Sequence, residues 1–395
     1  MAICSETSRT PAAENSWPAV IAVGLATFAV VTTEMLPVGL LTSIAAALQT
    51  TNGTAGLMIS LPALLAAAFA ALVVIASGSI DRRKILCGLL VLLLIANIAS
   101  ALAPNMTWML AARALVGFCM GGIWAIAGGL AARLVQANAI GLATSIIFGG
   151  VSAASVLGVP LGAIVGEHLG WRWAFALMAL LSGSILVLHL VVIPALPVIG
   201  STTARQFVEQ FGNPRLQTGL LLTVLLVAGH FLAFTFVQPL LLDVSGLDAR
   251  WIGTLLFVYG AAGLAGNFLG GTNAASNTTL TLVVIAAGLA LTSVIFLSLG
   301  HKPSAGVIAL LLWGLTYGAV SVSLMTLMMK AAPQAIETAS ALYVGTFNIA
   351  IALGSWMGGQ LIDTTGLTGN LWVFGALATA ALLLSLRLHR TENAP

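Results

Sequence analysis

Residues 17–48 read WPAVIAVGLATFAVVTTEMLPVGLLTSIAAAL. The run exceeds the roughly 20 apolar residues that carry a helix across ~30 Å of hydrocarbon. Its one ionisable side chain is Glu34. Eleven further runs follow, at 54–77, 85–103, 107–134, 139–166, 171–193, 216–242, 250–271, 278–299, 303–330, 337–362 and 367–388. A barrel strand needs only ~10 alternating residues. These runs are longer and do not alternate, and a helix satisfies its own backbone hydrogen bonds in lipid. The reading is an all-α membrane protein with twelve transmembrane helices.

Composition leads to the same class. Of 395 residues, 59% are hydrophobic and 6% are charged, against roughly 45–50% and about 25% in soluble domains. The 14 Lys+Arg and 11 Asp+Glu residues cannot cover a soluble surface of this size. Soluble enzymes, nucleic-acid binders, disulfide scaffolds and disordered chains are excluded, and the lipid bilayer becomes the main partner. Cys4, Cys87 and Cys119 form no CxxC pair. Residues 1–16 read as a cytoplasmic tail rather than a cleaved signal, and 389–395 as a second tail.

Basic residues set the orientation. With the N-terminus inside, Arg9, Arg82, Arg83, Lys84, Arg133, Arg205, Arg215, Lys330, Arg387 and Arg390 face the cytoplasm, and Arg172, Arg250 and Lys302 face out. Both termini are expected in the cytoplasm. The longest stretch between spans, 194–215, is read as a cytoplasmic linker between two six-helix bundles, 17–193 and 216–388.

The halves overlay. A shift of 196 places Leu157 on Leu353, Gly158 on Gly354, Gly162 on Gly358, Glu167 on Asp363 and Gly170 on Gly366. A shift of 197 places Gly117 on Gly314, Gly121 on Gly318 and Arg133 on Lys330. Six spans per half make a parallel repeat, with its pseudo-two-fold along the membrane normal. Two such bundles can rock about a site between them. Glycines four apart allow close helix approach, with or without motion.

Four segments resemble one family. Span one holds Thr33-Glu34-Met35-Leu36-Pro37-Val38-Gly39-Leu40-Leu41, the loop after span two holds Asp81-Arg82-Arg83-Lys84, span four holds Arg113-Ala114-Leu115-Val116-Gly117, and span five holds Gly158-Val159-Pro160-Leu161-Gly162. In this order they are similar to motifs of the major facilitator superfamily. The nearest likeness is to its drug/proton-antiporter branch, which includes bacterial sugar-efflux (arabinose-exporting) and purine-ribonucleoside-efflux pumps. The resemblance implies a bacterial inner-membrane transporter that exchanges protons for an outgoing small molecule by alternating access. Proton-coupled uptake is the alternative. The chain departs from the pattern at Ser77, where the family's cytoplasmic loop begins with glycine, and at 271–277, the matching loop of the second half, which has no charge.

Glu34 and Arg113 are the acid/base residues plainly inside first-half spans. A charge at mid-span costs ~2.5–3.5 kcal/mol on insertion scales, so such groups face a cavity or a partner. Glu34 is expected to carry the coupling proton and Arg113 to tune or relay it; a structural ion pair or an acid in a water-filled lumen is the plainer reading. Pro37 is expected to kink the helix. The resemblance implies that spans one, four, seven and ten line the cavity. Substrate contacts are expected from Trp124, His230, Phe234, Gln238, Trp313 and Tyr317, with Tyr343 and Asn348 on span eleven. Asp81, Arg82, Arg83 and Lys84 serve as a cytoplasmic gate or as a positive-inside anchor. Gly158, Pro160 and Gly162 form a helix-packing motif. No cofactor is expected besides the proton, and a monomer is expected. There is no Walker A lysine, no HExxH helix and no G-x-S-x-G elbow, so neither direct ATP drive nor these hydrolytic chemistries are indicated. No filter-like segment marks a channel.

Overall fold

The computed structural model describes residues 15–76, 80–136, 139–196 and 212–392. The tail up to residue 14, Ser77, the linker stretch 197–211 with Arg205, and residues 393–395 lie outside the described residues. Eleven described segments are long and apolar enough to cross a membrane. The last, Ala339–Glu392, is 54 residues long, about 80 Å of helix at 1.5 Å per residue. Gly366 breaks it with a φ of 73°, so it supplies two crossings. The total is the twelve read from the sequence.

The crossings are α1 (Trp17–Met35), α2 (Asn52–Ala76), α3 (Arg82–Ala101), α4 (Met106–Leu134), α5 (Ile140–Ala153 and Val159–Leu169, joined by a π turn), α6 (Trp171–Val192), α7 (beginning Pro214–Thr223 and continuing through Gly229–Phe234), α8 (Ile252–Ser276), α9 (Thr278–Leu299), α10 (Pro303–Gly318 and Val320–Ala331), and α11 and α12, which share Ile336–Glu392 on either side of Gly366. An even number of crossings leaves both termini on one side. Leu180, Val191, Phe268 and Leu383 are each more than 60% exposed, as side chains facing lipid must be.

One boundary differs from the sequence reading. The expected loop at 271–277 is helical to Ser276, and Asn277 caps α9 by accepting from the Leu280 amide. Lys330 on α10 donates to the carbonyls of Ala274 and Ala275 at the end of α8. A cation at a helix C-terminus offsets the dipole and fills orphan acceptors, so the helix holds together without a basic loop of its own.

Glycine contacts follow the internal repeat. A Cβ on Gly158, Gly162 or Gly166 of α5 would overlap Thr32, Leu36 or Leu40 along the α1 segment. In the second half, Gly354 and Gly358 of α11 meet the backbone of Ala228 and Leu232 on α7. Gly117 of α4 seats on Pro62 of α2, and Gly314 of α10 seats on Tyr259 of α8. Lipid gives little hydrophobic drive between helices, so close van der Waals approach carries the association. Gly170 and Gly366, paired by the shift of 196, both have positive φ (93° and 73°) where α5 turns into α6 and α11 into α12. A side chain would be strained at either position.

Two apolar cores result. One runs from Ala19 to Leu196 and takes in Phe236. The other runs from Leu216 to Ala381 and takes in Val38, Ile59, Ala63, Val159 and Ala163. The halves therefore interdigitate through α1, α2, α5 and α7.

Four hydrogen bonds between described residues cross between halves. Thr42 N donates to Gln238 Oε1 (3.1 Å), Thr51 Oγ1 to Asp363 Oδ2 (2.8 Å), Gly53 N to Asp363 Oδ1 (3.2 Å) and Ser355 Oγ to the Gly56 carbonyl (3.0 Å). All lie toward the end of the bundle away from the termini.

Candidate functional site

Regular α-helix in α1 ends at Met35. A 3₁₀ turn, Leu36–Gly39, follows around Pro37, and helix resumes at Leu41–Ala47. Proline has no amide hydrogen and clashes with the preceding turn, so the break falls where Pro37 predicts it. The Gln238 side chain satisfies the Thr42 amide, just beyond the break, from the other half.

Glu34 sits immediately before this break and is 4% exposed. Its Oε1 is buried without a hydrogen-bond partner. Arg113 is fully buried on α4. Its Nη1 donates to the Thr33 carbonyl (2.8 Å) and its Nη2 to Ser100 Oγ (2.8 Å), while its guanidinium lies 4.9 Å from the centroid of the Phe175 ring. Asn97 extends the cluster, donating to Thr33 Oγ1 (3.2 Å) and Ser182 Oγ (3.4 Å). Four elements, α1, α3, α4 and α6, thus hold one polar network inside the first half. Arg113 makes no ion pair with Glu34 within 4.0 Å, whereas Arg250 Nε and Asp248 Oδ2 do pair, at 3.2 Å. The simple ion-pair reading of Glu34 and Arg113 is therefore replaced by an arginine held by neutral acceptors beside a free carboxyl. Thr32 Oγ1, Asn97 Oδ1 and Arg113 Nε are likewise buried and unpartnered. An unmet buried polar group costs about 1–3 kcal/mol, so each of these atoms calls for a partner or a role.

A cavity of about 230 Å³ is lined by Met35, the residue that follows Glu34. Its other walls come from α5 (Val151, Ser155, Val156, Val159), α7, α8 and α10. On the second-half side, four rings stack in a row. Tyr317 lies 3.3 Å from His230 at 7°, His230 lies 4.7 Å from Phe234 at 21°, and Phe234 lies 4.6 Å from Tyr259 at 27°. Trp313 stands nearly perpendicular behind them, and its Nε1–H donates to His230 Nδ1 at 3.0 Å.

Of the expected cavity residues, His230, Phe234 and Tyr317 line this space. Trp313 is fully buried behind it. Gln238 serves the contact between halves. Tyr343 donates to the Ser321 carbonyl (3.3 Å), and Asn348 donates to the Val344 carbonyl on its own helix. Trp124 packs against Phe148 (5.6 Å) in the first half and does not line the cavity. The expectation that α4 contributes to the wall is thus corrected, and α5 and α8 take its place. Ser155, Tyr259 and Asn267 were missed. Asn267, a lone amide inside a span, gave the same kind of signal as Asn348.

The basic loop is built within the first half. Asp81 caps α3 by accepting from Arg83 N (2.8 Å), and also accepts from Leu196 N (3.0 Å). The Leu196 and Arg83 amides, with Lys84 and Arg133 nearby, hold its carboxyl below the usual 3.8. Arg83 donates to the Leu190 carbonyl at 2.6 Å. Arg82 is also engaged, and Lys84 is exposed.

A family profile described as Major Facilitator Superfamily matches residues 23–355. The chain belongs to the Major Facilitator Superfamily. It is accordingly a membrane transporter of that superfamily's fold and not an enzyme. Relatives agree over nearly the full length. A Pseudomonas aeruginosa protein named transcription regulatory protein OpdE is 32% identical over 389 residues, covering 98% of this chain and 97% of its own. A Bacillus subtilis protein named uncharacterized MFS-type transporter YtbD is 31% identical over 381 residues, covering 95% and 96%. The fold is shared with crystal structures of a bacterial homologue of the human lysosomal transporter Spinster. Its inward-facing occupied form has a TM-score of 0.72 at 14% identity, covering 94% of both chains. Its unoccupied form has a TM-score of 0.72 at 12% identity, covering 97% and 98%.

Proposed function

We propose that this transporter exports a small molecule in exchange for inward-moving protons, with Glu34 as the proton site. The observation that carries the reading is the free, buried Glu34 carboxyl, which follows in the chain the Thr33 that holds Arg113 and precedes the cavity-lining Met35. A carboxyl with no committed partner can change ionisation without breaking a structural bond, and desolvation and a neighbouring cation push its proton affinity in opposite directions. The Gly158-Val159-Pro160-Leu161-Gly162 segment and the likeness to efflux pumps favour export over uptake, since fold alone does not set direction.

Placing both termini in the cytoplasm, as the basic residues favour, makes the end joined by the four cross-bundle bonds the outer one. The conformation is then inward-facing. Interhelical hydrogen bonds in membranes average ~0.6 kcal/mol, so the four together amount to about 2–3 kcal/mol, small enough for a transport cycle to break and remake them. The name of the Pseudomonas relative refers to transcription; a carrier affects transcription through the cytoplasmic level of its cargo.

The test is a panel of candidate substrates in membrane vesicles with an imposed pH gradient. Gradient-driven, saturable flux that is lost in Glu34→Gln supports the reading. Coupled flux retained in Glu34→Gln with unchanged pH dependence defeats it.

A further inference from the structure

The chemistry of the cavity narrows its ligand, on the reading that this cavity is the transport site. Trp313 offers only an N–H donor. Because it donates to His230 Nδ1, that nitrogen is the acceptor and the proton of the neutral ring sits on Nε2. Nε2 makes no hydrogen bond and is not among the sealed, unpartnered atoms, and His230 lines the cavity. The donor left uncommitted on this cavity-lining histidine is therefore Nε2–H. Protonating the ring would set two N–H groups against each other at Trp313.

The stacked row strengthens this polarity. The faces of His230 and Phe234 are covered by their neighbours in the row. Covered faces cannot attract a cation, and ring edges carry partial positive charge. None of the lining residues bears a formal charge, and most of the wall is apolar, as at Val156, Val159, Leu256 and Leu264. An ion would meet no opposite charge on the wall itself, since neither Glu34 nor Arg113 is among the lining residues. A molecule rich in hydroxyls would set many polar groups against a mainly apolar wall, whose polar side chains besides His230 are Ser155, Tyr259, Asn267, Tyr317 and Ser321.

We propose that the cavity takes an uncharged, mainly apolar molecule that accepts a hydrogen bond from His230 Nε2–H, the Trp313–His230 pair setting this preference. Lipophilic cations, organic anions and free sugars are poor ligands.

Binding to the full-length protein in lipid nanodiscs tests this, with empty discs correcting for partition. The probes are four compounds of similar size: coumarin (uncharged, with a carbonyl acceptor), naphthalene (no acceptor), N-methylquinolinium (cation) and 2-naphthoate (anion). Coumarin should bind saturably and at least tenfold more tightly than either ion. His230→Phe should weaken coumarin about tenfold relative to naphthalene. Trp313→Phe, which keeps a ring but frees Nδ1, should give a smaller loss and provides a second variant should His230→Phe fold poorly. Equal or tighter binding of either ion, indifference of coumarin to both variants, or no saturable coumarin binding overturns the inference. No pH gradient is involved, so proton-coupled flux through Glu34 with none of these preferences would sink this inference and leave the proposed function standing. Binding as expected with Glu34-independent flux would do the reverse.

Discussion

Arg113 donates from Nη1 to the carbonyl oxygen of Thr33 at 2.8 Å, which fixes its charge one residue from Glu34 without pairing with it. The carbonyl is available in a helix that Pro37 interrupts shortly afterwards. The second donor, to Ser100 Oγ, and the Phe175 ring beneath the guanidinium leave the arginine little freedom. Glu34 therefore sits in a steady electrostatic field and keeps its own oxygen free.

Lysine cannot reproduce the two-donor fork of Arg113 or lie flat on Phe175. Arg113→Lys should lower stability by about 1–3 kcal/mol, the cost of an unmet buried acceptor, and should shift the pH dependence of transport. Thermal unfolding in detergent and flux across a pH series check both. A variant with wild-type melting and an unmoved pH profile would contradict the assignment.

The two glycine seams differ in what they meet. At Gly162 a new methyl strikes the end of the Leu36 side chain, whereas at Gly354 it strikes the Ala228 carbonyl. A side chain can turn aside, and backbone cannot. Gly354→Ala should therefore cost about 1–3 kcal/mol and Gly162→Ala distinctly less, as ranked by melting temperature. The opposite order would contradict the packing described.

Asp363 alone accepts two of the four cross-bundle bonds, from Thr51 and from the first turn of α2 at Gly53. Asp363→Ala should raise the population open at that end about fivefold, the equivalent of ~1 kcal/mol. Spin labels on the exposed Gln49 and Thr364 would report a longer-distance population. An unchanged distance distribution would show that the carboxylate does not hold that end shut.

Asp81 gives a pH prediction. Its carboxyl is held below 3.8 in the folded protein, so its contribution is present above that value and is lost as pH falls through the lower, folded-state value. Amide protection at Leu196, corrected for intrinsic exchange, should persist from neutral pH to about 4 and weaken in stronger acid. Asp81→Ala should lack that protection at all pH values. Protection independent of Asp81 would rule out the clamp.

The fold was largely legible because its determinants are local or periodic. Run length gave the spans, and Gly170 and Gly366 announced equivalent turns through one constant offset. Pro37 marked the break in α1. The cavity was less legible. A polar or aromatic residue within a span shows only that something receives it, not which neighbour the helix turns it toward. Trp124 and Asn267 illustrate the two errors: the first packs inside its own half, and the second faces the cavity from a helix not expected to line it. The role of Trp313 in fixing a histidine tautomer depends on contact between α7 and α10, which spacing within either helix cannot reveal.

The central claim concerns the ionisation of Glu34, and infrared difference spectroscopy of the membrane-reconstituted protein reads it most directly. A protonated-carboxyl band present in wild type and absent in Glu34→Gln should grow and vanish as pH is stepped across the range in which transport responds. A band constant throughout that range, or no band attributable to Glu34 at any pH, would contradict the account.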